Sequence, residues 1–174
     1  MKINKTKFKG VFLIELKTFK DNRGYFIESF NEKKFNNFLK ENNLKKIRFI
    51  QDSHSFSHKN VLRGLHYQSK PYAQAKLVRV ISGAVQDIVV NINPKSREYL
   101  KYLSFDLNDK NNHMLYISED YAHGFLSLKK NTHFYYKVSK QYQPNYEKTL
   151  KWNDKSLSIK WNIFKKIILS KKDA

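Results

Sequence analysis

The chain has no cysteine, which excludes disulfides, thiolate metal sites and cysteine nucleophiles together and makes the cytoplasm the default compartment. Glycine (5) and proline (3) are few, and no repeat, linker or low-complexity tract interrupts the 174 residues. No apolar run approaches the ~20 residues a membrane helix needs. The basic N-terminus, residues 1–10, lacks the apolar core of a signal peptide. Acidic side chains are outnumbered, 15 against 34 Lys and Arg, for a net charge of +19. That charge invites a nucleic-acid reading, and the spacing argues against it. Lysines are spread from Lys2 to Lys172, and the tight clusters are only pairs such as Lys33-Lys34, Lys45-Lys46 and Lys165-Lys166. The expectation is therefore no nucleic acid and no membrane. A basic chain still attracts a small anionic substrate such as a nucleotide diphosphate. What the chain has in plenty is aromatic mass, with 13 Phe, 11 Tyr and 2 Trp. Its length suits one domain, residues 1–174, able to bury roughly 70% of its unfolded surface.

The central stretch is Val61-Leu62-Arg63-Gly64-Leu65-His66-Tyr67-Gln68. β-branched and aromatic residues behind a turn predict a strand, whose alternation sends His66 and Gln68 to one face and Leu65 and Tyr67 to the other. Further strands are predicted over residues 11–16, 25–30, 48–55, 75–81, 85–92, 99–107, 114–117 and 132–139. Asn31 suits a helix cap, with Phe35, Phe38 and Leu39 as the apolar face of a short helix near residues 31–42. Many short strands with turn signals about every ten residues point to an all-β sandwich or barrel. The tail, with Trp161, Ile163-Phe164 and an apolar run at 167–169, is expected to pack on the barrel as a closing segment.

A lone buried histidine is more often a satisfied core residue than a reactive one. Here His66 has company: Lys76 in Gln74-Ala75-Lys76-Leu77-Val78, then Gly83, then Ala122-His123-Gly124-Phe125. Buried Lys and His cost free energy unless paired or used. The series has the outline of a cupin, the double-stranded β-helix or jelly-roll barrel. A metal-binding cupin has two histidines as H-x-H, a glutamate separated from a glycine by six residues, and a later histidine. In this chain Gln68 stands at the second histidine, and Lys76 is separated from Gly83 by six residues. An ammonium has no lone pair to donate, so the expectation is no metal and no cofactor. What remains is a fixed cation beside a base. That combination suits removal of a proton α to a ketone, because the cation stabilises charge building on the carbonyl oxygen. A histidine titrating near neutrality serves as the base. The strand 132–138 puts Phe134, Tyr136 and Val138 on one side, so Tyr136 is either the opposing acid or a packing residue.

At this point the residues resemble a known family, dTDP-4-dehydrorhamnose 3,5-epimerase, over nearly the whole chain from Phe19 to Asp173. The motifs are Asp21-Asn22-Arg23-Gly24-Tyr25-Phe26-Ile27-Glu28-Ser29, the stretch around His66, Gln74 to Val78, Ala122 to Phe125, Tyr136-Lys137, Tyr142-Gln143-Pro144 and Trp152-Asn153-Asp154. The resemblance implies His66 as general base, Tyr136 as acid, Lys76 as enolate stabiliser and Asp173 as the carboxylate orienting His66. It implies Arg23, Glu28, Gln51, Arg63, His123, Glu147 and Lys172 as substrate contacts, with Tyr142 stacking on the nucleotide base. The implied substrate is dTDP-4-dehydro-6-deoxy-D-glucose, turned at C3 and C5 into dTDP-4-dehydro-L-rhamnose. A homodimer exchanging N-terminal strands is implied as well. Strict alternation would put Arg63 opposite His66, so Gly64 must mark a bulge if both reach the ligand. The rivals are a single-centre epimerase or isomerase of another nucleotide 4-keto sugar, a non-catalytic sugar-binding cupin, and a metal-dependent cupin oxygenase.

Overall fold

The alternating pattern becomes two facing sheets in the computed structural model, which describes residues 2–174. The strands are β1 Lys2–Lys5, β2 Val11–Glu15, β3 Thr18–Asp21, β4 Gly24–Ile27, β5 Gln51–Ser57, β6 Leu62–Gln68, β7 Lys76–Ser82, β8 Ala84–Asn91, β9 Tyr102–Asn108, β10 His113–Ile117, β11 Tyr121–Ser127, β12 Thr132–Val138 and β13 Glu147–Thr149. The helix α1 is Glu32–Glu41. One sheet has the order β1-β2-β10-β7-β12-β5, the other β13-β6-β11-β8-β9, and β3 and β4 form a separate ribbon. Neighbouring strands pair antiparallel throughout. This is the predicted jelly-roll barrel. Among the described residues no helix is long and apolar enough to cross a membrane.

Three apolar layers hold it. Between the sheets, Val78, Val80, Leu115, Ile117 and Phe134 meet Val85, Val89, Leu107 and Phe125, all nearly inaccessible to water. Each such side chain contributes about 1.5–3 kcal/mol by leaving solvent. On the outer face of the six-stranded sheet, Phe12, Ile14, Leu77 and Tyr116 are covered by Phe35 and Leu39 of α1. The helix starts where the sequence says: the Asn31 side chain accepts the Lys34 N–H at 3.1 Å, a cap worth about 1 kcal/mol. On the outer face of the five-stranded sheet, Leu65, Ile88, Val90 and Ala122 are covered by Leu157, with Leu150 and Trp161 packed alongside.

The tail therefore closes the barrel through Trp161, whose indole N–H donates to the Trp152 carbonyl at 2.9 Å. The following run departs from expectation. Ile163 and Phe164 are 39% and 89% exposed, because the face they would cover is already filled by residues 150–161. The chain returns to the barrel at Ile168, which makes a parallel bridge to Val61. Four strands escape the sequence reading: the short β1 (KINK), β3 (TFKD) and β13 (EKT), and the seven-residue β11 (YAHGFLS). The three short ones carry no apolar alternation and exist by pairing with a neighbour, whereas β11 is buried on both faces and so shows no period of two.

Candidate active site

The bulge demanded by Arg63 is present. β6 and β11 pair His66 with His123 and Arg63 with Phe125, so the register shifts between them. Gly64 sits at φ +122°, and a Cβ there would lie 2.5 Å from the Gly124 Cα. Only glycine allows both that backbone angle and that approach. With the extra residue absorbed, Arg63 and His66 line the same cavity. The Arg63 guanidinium is aimed by two bonds, Nε–H to Ser57 Oγ at 3.1 Å and Nη2–H to the Phe56 carbonyl at 3.0 Å.

That cavity, about 340 Å³, lies between the sheets. His66 reaches it from β6 in the five-stranded sheet; Lys76 of β7 and Tyr136 of β12 reach it from the six-stranded sheet. His66 Nε2–H donates to Asp173 Oδ1 at 2.6 Å, and Ser170 Oγ–H donates to the other carboxylate oxygen at 2.8 Å. With Nε2 so engaged, Nδ1 is the ring nitrogen left with a lone pair. Burial holds the imidazole below its ordinary pKa, Asp173 pulls it back up, and the Lys172 and Lys76 ammoniums push it down. The net effect is a histidine kept neutral. The Lys76 ammonium donates to the His66 carbonyl at 3.1 Å, and its enclosure brings its pKa down to about 8, with Glu147 and Asp87 opposing the fall.

A second pair lies beside the first. His123 Nε2–H donates to both oxygens of Asp87, at 3.0 and 2.9 Å. Burial raises the Asp87 pKa, opposed by His123 and then by Lys76. At the cavity mouth the Tyr142 hydroxyl donates to Glu147 at 2.6 Å, and the Lys172 ammonium pairs with the other Glu147 oxygen. Burial alone would raise the Glu147 carboxyl, but those two bonds outweigh it and hold the group below its ordinary range.

Gln68, the residue at the second cupin ligand position, is spent elsewhere. It is buried, its amide donates to the Tyr72 and Gln141 carbonyls at 2.7 and 3.2 Å, and its oxygen accepts the Gln143 N–H at 2.6 Å. It pins the loop that carries Tyr142. Among the described residues no three His, Asp or Glu side chains stand together as a metal site.

Of the residues expected at the site, His66, Lys76, Tyr136, Asp173, Arg63, His123, Tyr142, Glu147 and Lys172 line one cavity. Gln51 lies beside it, accepting the Tyr142 N–H at 3.2 Å and donating to Ser53 at 3.3 Å. Arg23 and Glu28 do not line this cavity. Arg23 turns back on Asp21 at 2.6 Å, and Glu28 pairs with Lys34 at 2.8 Å, because the β3–β4 ribbon and its exit stand away from the barrel interior. The sequence reading missed Ser170, which holds Asp173, and the cavity residues Ser55, Phe125 and Phe134 as ligand-facing. Ser55 shares inward parity with Gln51 on β5, and Phe125 shares it with His123 on β11, so parity was the available signal. No pattern marked Ser170.

The chain was compared with known proteins. A family model described as dTDP-4-dehydrorhamnose 3,5-epimerase matches residues 5–174. A dTDP-4-dehydrorhamnose 3,5-epimerase from Shigella flexneri is 42% identical over 173 residues, 99% of this chain and 93% of the relative. The crystal structure of a Legionella pneumophila dTDP-6-deoxy-D-glucose-3,5-epimerase in complex with dTDP-4-keto-L-rhamnose superposes with a TM-score of 0.94 at 37% identity, covering 99% of this chain and 89% of the other. A Bacillus anthracis dTDP-4-dehydrorhamnose 3,5-epimerase with TDP and PPi bound gives 0.92 at 35% identity, covering 99% and 95%.

Proposed function

We propose a mechanism from one premise: the chain belongs to the dTDP-4-dehydrorhamnose 3,5-epimerase family. It is an isomerase of a nucleotide-linked sugar, and the reaction is inversion at C3 and C5 of dTDP-4-dehydro-6-deoxy-D-glucose, giving dTDP-4-dehydro-L-rhamnose.

The observation that carries the mechanism is that base and acid come from opposite sheets. His66 faces the cavity from one wall and Tyr136 from the other. A sugar carbon between them meets a base on one face and a proton donor on the other, which is the arrangement inversion needs. Neutral His66 takes the proton on the carbon next to the C4 ketone. The C–H electron pair moves into an enolate whose oxygen the Lys76 ammonium stabilises. The Tyr136 hydroxyl then delivers a proton to the opposite face. The resulting tyrosinate and histidinium return to their starting states by exchange with solvent. Asp173 keeps the ring oriented and stabilises the imidazolium as it forms. Repeating the step at the other carbon flanking C4 completes the double inversion, without metal or organic cofactor.

The Arg63 fork faces the diphosphate, where two parallel donors suit a bridging anion, His123 contacts the sugar, and Tyr142 takes the nucleotide base. Arg23 and Glu28, distant from this chain's own cavity, contact substrate in a homodimer that exchanges N-terminal strands. The exposure of Phe19, Tyr25 and Phe26 on their ribbon (50%, 55% and 68%) favours such a partner. We place the enzyme in the cytoplasm on the sequence reading.

The test is incubation with dTDP-4-keto-6-deoxyglucose in heavy water. NMR should count deuterium at both C3 and C5, and incorporation at one carbon alone would indicate a single-centre epimerase. Tyr136→Phe sharpens it. Abstraction and return by His66 continue, so deuterium enters with retained configuration while inverted product falls. Proportional loss of exchange and inversion would remove Tyr136 from the acid's role.

A further inference from the structure

The carboxylate behind His66 is not anchored by the barrel's own ladder. Asp173 lies at the end of a strap, residues 162–174, whose backbone meets the barrel at Asn162, N–H to the Gln86 side-chain oxygen at 2.7 Å, and at Ile168, whose N–H donates to the Asn60 carbonyl at 2.8 Å and whose carbonyl accepts the Leu62 N–H at 3.0 Å. Among the described residues, the strap beyond Ile168 makes no backbone hydrogen bond to the barrel. Residues 170–172 are exposed and Asp173 is buried. Two consecutive side chains hold this end down. Lys172 pairs with Glu147, and Asp173 accepts the hydrogen bond from the His66 ring N–H. Consecutive residues are 3.8 Å apart at Cα, so fixing one confines the other. Glu147 is well placed to fix it. It belongs to β13, which pairs with β6 so that Glu147 stands opposite Gln68 and Thr149 opposite His66. Both of its oxygens are engaged, one by Lys172 and the other by the Tyr142 hydroxyl.

We propose that Glu147 is a positioning residue: by clamping Lys172 to the edge of the barrel it keeps Asp173 on His66, and its second oxygen ties that clamp to the Tyr142 ring. The proposal rests on the reading of His66 and Asp173 as the working pair. It differs from the expectation that Glu147 contacts substrate, since its oxygens already serve the strap and the tyrosine. Filling the Tyr142 platform then firms up the same carboxylate that holds the Lys172 end, so binding far from the reacting carbons supports proton transfer at them. Interactions of that kind appear in kcat rather than in KM.

The experiment uses the full chain with its nucleotide-sugar substrate. Glu147→Gln keeps the shape and a bond to Tyr142 but removes the charge that Lys172 pairs with. A thermal melt confirms that the variant folds. Outer partners of metal ligands are worth about 10–100-fold; with the low end of that range carried to this pair, kcat should fall about tenfold with KM within about threefold of the parent. Lys172→Gln, approaching the clamp from its other side, should give the same split. In an Asp173→Asn background Glu147→Gln should cost nothing further, because residues acting through one pair are non-additive. A loss confined to KM, or a full additional loss in the Asp173→Asn background, overturns the clamp. Normal turnover in Asp173→Asn alone sinks the reading of the working pair, and the clamp with it. Low turnover there with normal Glu147→Gln sinks the clamp only.

Discussion

Two histidine–carboxylate pairs stand side by side on one sheet, in register across β6 and β11, and they are built in opposite ways. The His123–Asp87 pair is sealed, with side chains 8% and 0% exposed. Its carboxylate comes from β8, buried along its whole length between two neighbouring strands. In the His66–Asp173 pair the histidine keeps a quarter of its side-chain surface open, and its carboxylate arrives on a strap outside the sheet. On the proposed mechanism the contrast separates two uses of one chemical unit. A pair that must pass protons needs one wet side and a partner free to settle around it. A pair that holds two strands and a cavity wall in place needs neither. Asp87 bears the cost, its carboxyl pushed upward by burial, and the ladder makes that strain permanent.

The largest effect should come from the open pair. His66→Asn removes the base, and general acid–base groups contribute about 10²–10⁴-fold. Turnover should fall by that factor, deuterium should stop entering C3 and C5 together, and dTDP affinity measured by calorimetry should hold. Exchange retained at more than roughly a tenth of the parent rate, against the size expected of a general base, would make His66 a packing residue and erase the contrast.

Matched carboxamides should split the pairs along different axes. Asp87→Asn perturbs a buried bond whose loss costs about 1–3 kcal/mol. For a chain of this size that lowers the melting temperature by about 2–4 °C per kcal/mol. Asp173 is buried too, but the strap beyond Ile168 is outside the ladder, so Asp173→Asn should melt closer to the parent than Asp87→Asn and lose kcat instead. Parallel melts and turnover assays read both, and an equal melting loss in the two variants would mean that the strap is as structural as the sheet.

The smallest effect is a displaced pH limb. As the proposed base, His66 works deprotonated, so activity rises as pH climbs through its pKa; as the proposed enolate stabiliser, Lys76 works protonated, so activity falls as pH climbs through its own. Burial puts the first below the ordinary histidine value of about 6.5, and the second stands at about 8. The charged groups acting on His66 are Asp173, Lys172 and Lys76, with Glu147 coupled to it as well. Asp173→Asn removes the nearest group that raises it and should move the acid limb lower still. A limb moving upward would show that the carboxylate does not act on His66.

Much of this was legible in the sequence, and the divide is physical. The alternation in β6 and β12 gave the inward faces, because the sheet imposes a period of two on whatever is buried. The Arg63–His66 conflict located the bulge at Gly64 for the same reason. The site's long-range partners are another matter. Nothing local in Glu147-Lys148-Thr149 predicts a strand, since it forms only against β6. Nothing in Leu169-Ser170-Lys171 tells that Ser170 reaches Asp173, and the exposure of Phe164 contradicts its hydrophobicity. Those facts depend on which surfaces remain uncovered after the barrel has closed. Resemblance supplied Asp173, and parity would not have.

Gln68 carries an evolutionary consequence. Building the metal cupin's H-x-H needs a histidine at that one position, which looks like a single step. The step would take away the amide that holds Tyr72, Gln141 and Gln143, and with them the loop bearing Tyr142. A histidine there offers two ring nitrogens against the three bonds the amide makes. Lys76 would still sit where an acidic ligand is wanted. The path to a metal site therefore crosses a stage with neither a complete ligand set nor the proposed nucleotide platform. Selection for either activity opposes that stage, so the two kinds of site are separated by coupled changes rather than by a substitution.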